Sequence, residues 1–189
     1  ALAHEIFTEL QEGLAAGRFP DLENRSAIAN EIRFRVADTG WRRQAGAAMG
    51  DSSGLNEARN ALTRLAQSLR PDPSVRPPEL WPRIHASLGD SYLYGGRGAD
   101  WYAAWNHYSE ALRWWGGSTD LERARNAYIR LFRGITRPIE EEARGYRGAL
   151  STIPLQVIDN FLRIAQDPVD LAYGNYLFAR SLMQRGYDP

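Results

Sequence analysis

Cysteine does not occur among the 189 residues, and its absence excludes several chemistries. The chain can form no disulfide, no thiolate-bound iron–sulfur cluster and no cysteine zinc site, and it cannot use a thiol as a nucleophile. No run of about 18 apolar residues occurs either, which predicts that no helix spans a membrane. The net charge is zero, whereas nucleic-acid-binding proteins are usually basic. We therefore expect no nucleic-acid partner.

Lysine is the second missing residue type, because all 23 basic residues are arginine. A GC-rich genome, such as many bacteria have, favours Arg, Ala, Gly and Pro codons and explains this composition. Selection for arginine is the alternative, since its planar guanidinium makes forked and stacking contacts that lysine cannot make. The apolar share of 43% and the charged share of 24% are typical of a soluble, folded protein. The start at Ala1 carries no signal-peptide pattern, and both a cytoplasmic and an exported protein remain compatible with this composition.

Apolar residues at three- and four-residue spacing predict helices along most of the chain. The predicted helices cover residues 2–18, 21–36, 55–69, 80–94, 100–115, 119–133, 138 onward, 154–165 and 168–184. Residues 38–40 are predicted to separate the second helix from a short segment after it. Thr119 and Glu122 form a capping box, and Asp167-Pro168 supply an N-cap and first helical residue. No convincing strand pair is present, although residues 151–158 are rich in β-branched side chains, and we predict an all-α fold.

Prolines mark the strongest break in the chain, since four of them lie between residues 71 and 78. A helix cannot continue there, because proline lacks the amide donor and its ring clashes with the preceding turn. We predict an N-terminal helical segment (1–70), a proline-rich connector (71–79) and a repeat-bearing part (80–189). The alternative is a stiff connector inside one continuous domain.

Small and aromatic residues follow a regular pattern in the last of these parts. Leu88-Gly89 and Tyr92 lie on its first helix, and the triplet Ala104, Tyr108 and Ala111 lies on its second helix. A similar triplet, Ala172, Tyr176 and Ala179, lies 68 residues later, which is twice the ~34-residue period of helix–turn–helix repeats. Between the triplets, the first-helix pattern is echoed by Ala124-Arg125 and Tyr128, with Ala143 as a candidate small residue of the following helix.

This pattern resembles the tetratricopeptide repeat family over residues 80–185, with one close unit and two degenerate ones. The resemblance implies antiparallel helix pairs stacked as a short right-handed superhelix. It also implies a concave groove lined by the first helix of each unit. The candidate groove residues are Arg83, Asp90, Tyr94, Glu122, Asn126 and Arg130. Asp90 stands where related peptide-binding domains carry asparagine, which argues against a clamp for a peptide carboxylate, and a solvated helix face is the alternative.

Trp114 lies off the apolar stripe of the helix predicted at 100–115. We take it as a candidate interface anchor, because tryptophan often dominates binding energy at interfaces; packing against the next helix is the alternative. The three histidines, His4, His85 and His107, match no metal-ligand spacing. No nucleophile motif and no phosphate-binding loop occurs, so we predict no catalytic residue, no metal and no cofactor.

The whole pattern predicts a non-catalytic protein–protein interaction scaffold that binds a partner peptide or subunit through a helical groove. The first alternative is a structural subunit of a larger complex, including a membrane-associated one, since a repeat array that stands alone needs polar ends. The second alternative is an all-helical enzyme. It requires a polar pocket that joins separated residues such as His85, His107 and Glu110.

Overall fold

The computed structural model describes residues 2–45, 52–95, 100–141 and 153–186. Over these ranges the chain forms helices and no strand, which confirms the predicted all-α class. The helices are α1 (Leu2–Ala15), α2 (Arg25–Ala45), α3 (Ser52–Leu69), α4 (Leu80–Tyr94), α5 (Trp101–Gly116), α6 (Leu121–Glu141), α7 (Leu155–Ile164) and α8 (Pro168–Gln184). Within these described ranges, no helix combines the length and the apolar character needed to cross a membrane.

The chain divides into two compact units, residues 1–111 and 112–189. In the first unit α2 packs against α1, α3 and α4, and α3 also packs against α4. In the second unit α7 packs against both α6 and α8. The proline-rich connector lies within the first unit and joins α3 to α4, which contact each other.

Helix α2 continues through residues 38–40, so the helix end predicted there is wrong. Tertiary contacts outweigh the weak helix propensities of this segment. The buried indole of Trp41 donates from Nε1 to Ser87 Oγ at 2.9 Å and to Asp38 Oδ1 at 3.2 Å, which ties α2 to α4. Gly40 lies where a Cβ atom would be 3.4 Å from His4 Cε1, so the glycine serves close packing inside the helix and does not end it.

Helices α4 and α5 approach closely at Gly89. A Cβ atom on Gly89 would lie 2.7 Å from Tyr108 Cε1, so only glycine leaves room for the ring. The Tyr108 hydroxyl donates to Asp90 Oδ1 at 2.6 Å, and Ala104 and Ala111 on the same face of α5 are buried. The small and aromatic residues of the first triplet therefore form core contacts in this unit.

The second unit has an aromatic core in which the rings of Phe132 and Phe161 stack with centroids 4.4 Å apart. Two local predictions are wrong here. Asp120, and not Thr119, caps α6, because its Oδ1 accepts from the Arg123 amide at 3.0 Å. Helix α6 also continues to Glu141, so no new helix begins at Pro138.

The start predicted for the last helix is confirmed, since Asp167 Oδ1 accepts from the Val169 amide at 2.7 Å and Pro168 is the first residue of α8. The second triplet has a different environment from the first. Ala172 and Ala179 are exposed, and Tyr176 is 48% exposed. Ala143 lies outside the described residues.

Candidate partner-binding groove

A groove of about 720 Å³ runs along the second unit, between α6, α7 and the end of α5. Trp115 and Tyr128 contribute aromatic rings to its lining, and Leu121 lies at the first residue of α6. The volume falls in the range of ~300–1,000 Å³ that is typical of ligand sites. The groove therefore has room for a few side chains of a bound segment.

The aromatic lining is held by contacts within the second unit. The Tyr128 hydroxyl donates to the carbonyl oxygen of Val157 at 3.2 Å, which links α6 to the first turn of α7. Burial raises the pKa of Tyr128 to about 12, so the hydroxyl keeps its proton at neutral pH. Trp115 is buried and meets Trp114 edge to face, with centroids 4.8 Å apart. These contacts hold the lining in place before any partner binds.

Polar groups of both charge signs surround this lining. Arg125 Nη1 donates to Gln166 Oε1 at 2.6 Å, and Arg163 pairs with Asp159 at 2.8 Å. Glu122 lies in the first turn of α6, where the helix dipole favours a carboxylate. The arrangement suits a segment that inserts an apolar side chain and hydrogen-bonds at its flanks. Among the lining residues that the structure describes, no nucleophile is paired with a base.

The residues predicted for the partner site in the second unit are partly brought together. Glu122 lines the groove. Asn126 and Arg130 are exposed at four-residue intervals from it, on the neighbouring face of α6. Trp114 is half-buried against Trp115. These assignments stay predictions, with Glu122 at the edge where the groove meets the exposed face.

In the first unit, two of the predicted groove residues make contacts inside the protein. Arg83 donates to both carboxylate oxygens of Glu31, at 2.9 and 2.8 Å. Burial acts to raise the pKa of Glu31, but its contacts with Arg83 and Arg35 outweigh burial and lower it. Asp90 accepts from Tyr108 and pairs with Arg42 at 3.4 Å.

Arg83 and Asp90 therefore join α4 to its neighbours, which gives both a structural role whether or not a partner also contacts them. Tyr94 is the third predicted groove residue of this unit, and its side chain is 45% exposed.

The residues named for an enzyme do lie near each other in the first unit. His85 Nδ1 and His107 Nδ1 are 3.2 Å apart, and the ring of Tyr92 stacks on His107 at 5.6 Å. Burial lowers the pKa of His107 and, with the charges of His107 and Arg70, lowers that of His85 to about 4. Both rings are thus neutral near pH 7, where one Nδ1–H donates to the other Nδ1.

The surroundings of this histidine pair give it a structural character. Arg70 pairs with Glu110 at 4.0 Å, and the guanidinium of Arg70 lies 5.4 Å from the Trp81 ring centroid. Across the part of the chain that the structure describes, no three His, Asp or Glu side chains are grouped to hold a metal ion. A histidine with a pKa of about 4 is a weak base at neutral pH.

Leu121, Arg163 and Gln166 line the groove but were not among the sequence candidates. Leu121 is the first residue of α6, where an apolar side chain is expected to pack against a neighbour. Whether it is exposed depends on which other helices cover it. Arg163 and Gln166 lie about 40 residues further along the chain. Sequence spacing contains no signal that would have placed them beside α6.

Comparisons of the chain with family models, with curated proteins and with solved structures yield no match. The tetratricopeptide resemblance therefore rests on the residues quoted for it. The functional argument rests in the same way on the chemistry of the surfaces described.

Proposed function

We propose that this chain is a non-catalytic scaffold that binds a peptide segment of a partner protein in the groove of the second unit. The observation that carries the proposal is Leu121, a large apolar side chain that is 78% exposed at a groove lined by Trp115 and Tyr128. Exposed apolar surface next to an aromatic pocket is typical of protein-binding sites. Covering it gains about 25 cal/mol per Å² of apolar area.

The polar rim gives the partner segment its expected chemistry. Glu122 attracts a cationic side chain or an amide, whereas Arg125 and Arg163 attract carboxylates or carbonyl oxygens. An apolar residue between polar neighbours of both signs fits this rim. Helix pairs stacked as a tetratricopeptide-like superhelix belong to the same proposal, supported by the close approach of Gly89 to the Tyr108 ring.

The test is capture of partners by purified protein from the source cells, compared between two variants. Leu121→Asp places a charge in the groove, and Val169→Asp is the matched control, since Val169 is 68% exposed on α8 and lies outside the groove lining. We expect the Leu121 variant to lose the partner and the control to retain it. Equal retention by both variants would contradict the groove assignment.

A further variant separates the groove from the neighbouring exposed face of α6. The double substitution Asn126→Ala/Arg130→Ala removes the predicted polar residues and leaves the groove lining intact. A loss with this variant as large as that with Leu121→Asp would extend the site over both faces. Retention of the partner would confine the site to the groove.

A structural subunit of a larger complex is the second candidate function, and a specific surface favours it. Leu2, Ile6 and Leu10 lie at four-residue intervals on α1, and all three are exposed. Such an apolar stripe on an outer helix is expected to pack against a neighbouring protein. The variant Ile6→Asp/Leu10→Asp should then release the chain from its complex, as measured by the mass of the native assembly. An unchanged mass would exclude this surface as the contact.

A further inference from the structure

A second groove, of about 560 Å³, lies in the first unit between α1, α2 and α3. Small residues form much of its lining, among them Ala37, Gly40, Ala58 and Ala61. Because these side chains are short, the longer side chains around them enclose a concave space. The groove shares no residue with the one assigned to a partner peptide, so the ligand inferred for it is independent of the proposed function.

The charged residues of this groove are mostly cationic. Arg33, Arg43 and Arg64 line it, and Glu57 is the single carboxylate among the lining residues that the structure describes. Three guanidinium groups against one carboxylate leave a positive excess in a chain whose net charge is zero. A concave surface with an excess of charge of one sign concentrates ligands of the opposite sign.

Two of the three arginines of this groove differ from others in the same unit, whereas Arg33 donates to Asn30 Oδ1 at 3.2 Å. Arg59 donates to Ser91 and lies over the Tyr92 ring at 4.1 Å, and Arg42 and Arg83 both pair with carboxylates. The side chains of Arg43 and Arg64, by contrast, form no hydrogen bond or ion pair with any residue that the structure describes. Their guanidinium forks are therefore available to a ligand from solution.

The wall formed by α1 is fixed in place. His4 Nδ1 donates to the carbonyl oxygen of Val36 at 3.2 Å and to Thr39 Oγ1 at 3.1 Å, since the Thr39 hydroxyl itself donates to a backbone carbonyl. At the other end of the helix, Arg25 Nη2 donates to the carbonyl oxygen of Leu14 at 2.7 Å. These hydrogen bonds hold the α1 wall in position, which reduces the entropy cost of ordering the groove on binding.

We propose that this groove binds a compact polyanion, a small molecule with two or more carboxylate or phosphate groups. Guanidinium forks match both oxyanions through paired N–H···O bonds, so several arginines around one cavity select multiple negative charge. The volume suits a small molecule. Arg43 and Arg64 hold the anionic groups, and the short side chains of the lining leave room for the body of the ligand.

Titration calorimetry of the purified full chain at low ionic strength tests the proposal, with citrate and pyrophosphate as separate probes. The first represents carboxylates and the second phosphates. We expect saturable binding of one molecule per chain to at least one probe, weakened about tenfold or more by Arg43→Gln and by Arg64→Gln. Arg18→Gln is the matched control, because Arg18 is exposed and lies outside the groove.

The probe that binds more tightly identifies the ligand class. Circular dichroism of each variant checks the fold. Because the two arginines are substituted separately, the test stays valid if one substitution disturbs the fold. Equal weakening by Arg18→Gln would show unspecific attraction to the surface and overturn the site. Failure of both anions to bind at millimolar concentration would overturn it too, as would a longer acidic peptide or a nucleic acid that binds where neither small anion does.

Discussion

The two grooves of this protein are built from different residues, and we propose different ligands for them for that reason. The groove of the first unit has short side chains in its lining and three arginines, whereas that of the second has aromatic rings, an exposed leucine and charges of both signs. In each groove, the expected ligand class follows from the side chains that stay unpaired or exposed. Free guanidinium groups indicate an anion, and an uncovered apolar side chain indicates a protein segment.

A second contrast lies between the two copies of the small–aromatic–small triplet. Tyr108 is 1% exposed and faces Gly89 across a helix contact. Tyr176 is 48% exposed, and its hydroxyl accepts from Arg180 on the next turn of its own helix at 3.0 Å. The same spacing thus produces a core residue in one unit and a surface residue in the other. Whether the tyrosine is buried or exposed depends on the helix that packs against it.

The largest expected effect separates these two tyrosines. Tyr108→Ala should reduce the free energy of unfolding by about 3–5 kcal/mol, because it empties a fully buried aromatic site. Tyr176→Ala should change it by less than about 0.5 kcal/mol, as is typical of surface positions. Urea unfolding followed by circular dichroism measures both. Similar costs for the two variants would show that the second triplet also forms a core.

The next effect compares close glycines in the two units. Gly89→Ala should destabilise by about 1–3 kcal/mol, since the new methyl group would meet three carbon atoms of a buried, hydrogen-bonded ring. Gly174→Ala should cost less. Its closest neighbour, at 2.6 Å, is Leu162 Cδ2, which is the end of a side chain that can rotate, whereas the buried Phe161 ring lies at 3.0 Å and needs to shift by only a few tenths of an ångström. Thermal unfolding of the two variants gives the order, and a larger loss at Gly174 would contradict this explanation of the helix contacts.

The histidine pair gives the first unit a pH dependence. The pKa of His85 is lowered from its ordinary value of 6.5 to about 4, by burial first and then by the charges of His107 and Arg70. The unfolded chain therefore takes up a proton near pH 6.5, before the folded chain does. Stability should fall as the pH is lowered from about 6.5 to about 4, and this group should account for about 2 kcal/mol of the loss between pH 7 and pH 5.

Urea titrations at pH 7 and at pH 5 measure this loss, at pH values where most carboxylates stay charged. Burial also lowers the pKa of His107, while Glu110 opposes that shift. In the variant His85→Gln the loss between the two pH values should shrink. An unchanged loss would assign the pH dependence to other groups.

The smallest effect has the opposite sign. Gly134 lies inside α6, and a Cβ atom there would meet nothing within 4 Å. Gly134→Ala should stabilise the chain by about 0.5–1 kcal/mol through helix propensity alone, and should raise Tm by about 2 °C. Differential scanning calorimetry measures the shift. A lower Tm would mean that the backbone at this position needs glycine.

Local signals in the sequence were sufficient for the helical elements whose ends are set locally. The predicted limits of α4 and the Asp167-Pro168 start of α8 agree with the structure, because caps and apolar spacing act within a few residues. The helix end predicted at residues 38–40 was wrong because Ser87, far along the chain, holds Trp41 in place.

The candidate site was less predictable than the helices, because it too depends on contacts between residues that are far apart in the sequence. Arg83 was a groove candidate on helix position alone, and its partner Glu31 lies 52 residues away. Leu121 was missed, since its exposure depends on which helices fail to cover it. Contacts between residues so far apart in the sequence determine which side chains bind other parts of the protein and which stay exposed.

Binding of a partner segment in the groove beside Leu121 can be tested by photo-crosslinking in the source cells. A photoreactive amino acid replaces Leu121 in one variant and Val169 in the other, two exposed apolar positions of which only the first lines the groove. We predict one dominant adduct from position 121 that is missing from position 169. If the variant labelled at position 121 gave no adduct that the variant labelled at position 169 lacks, the proposed binding would be contradicted.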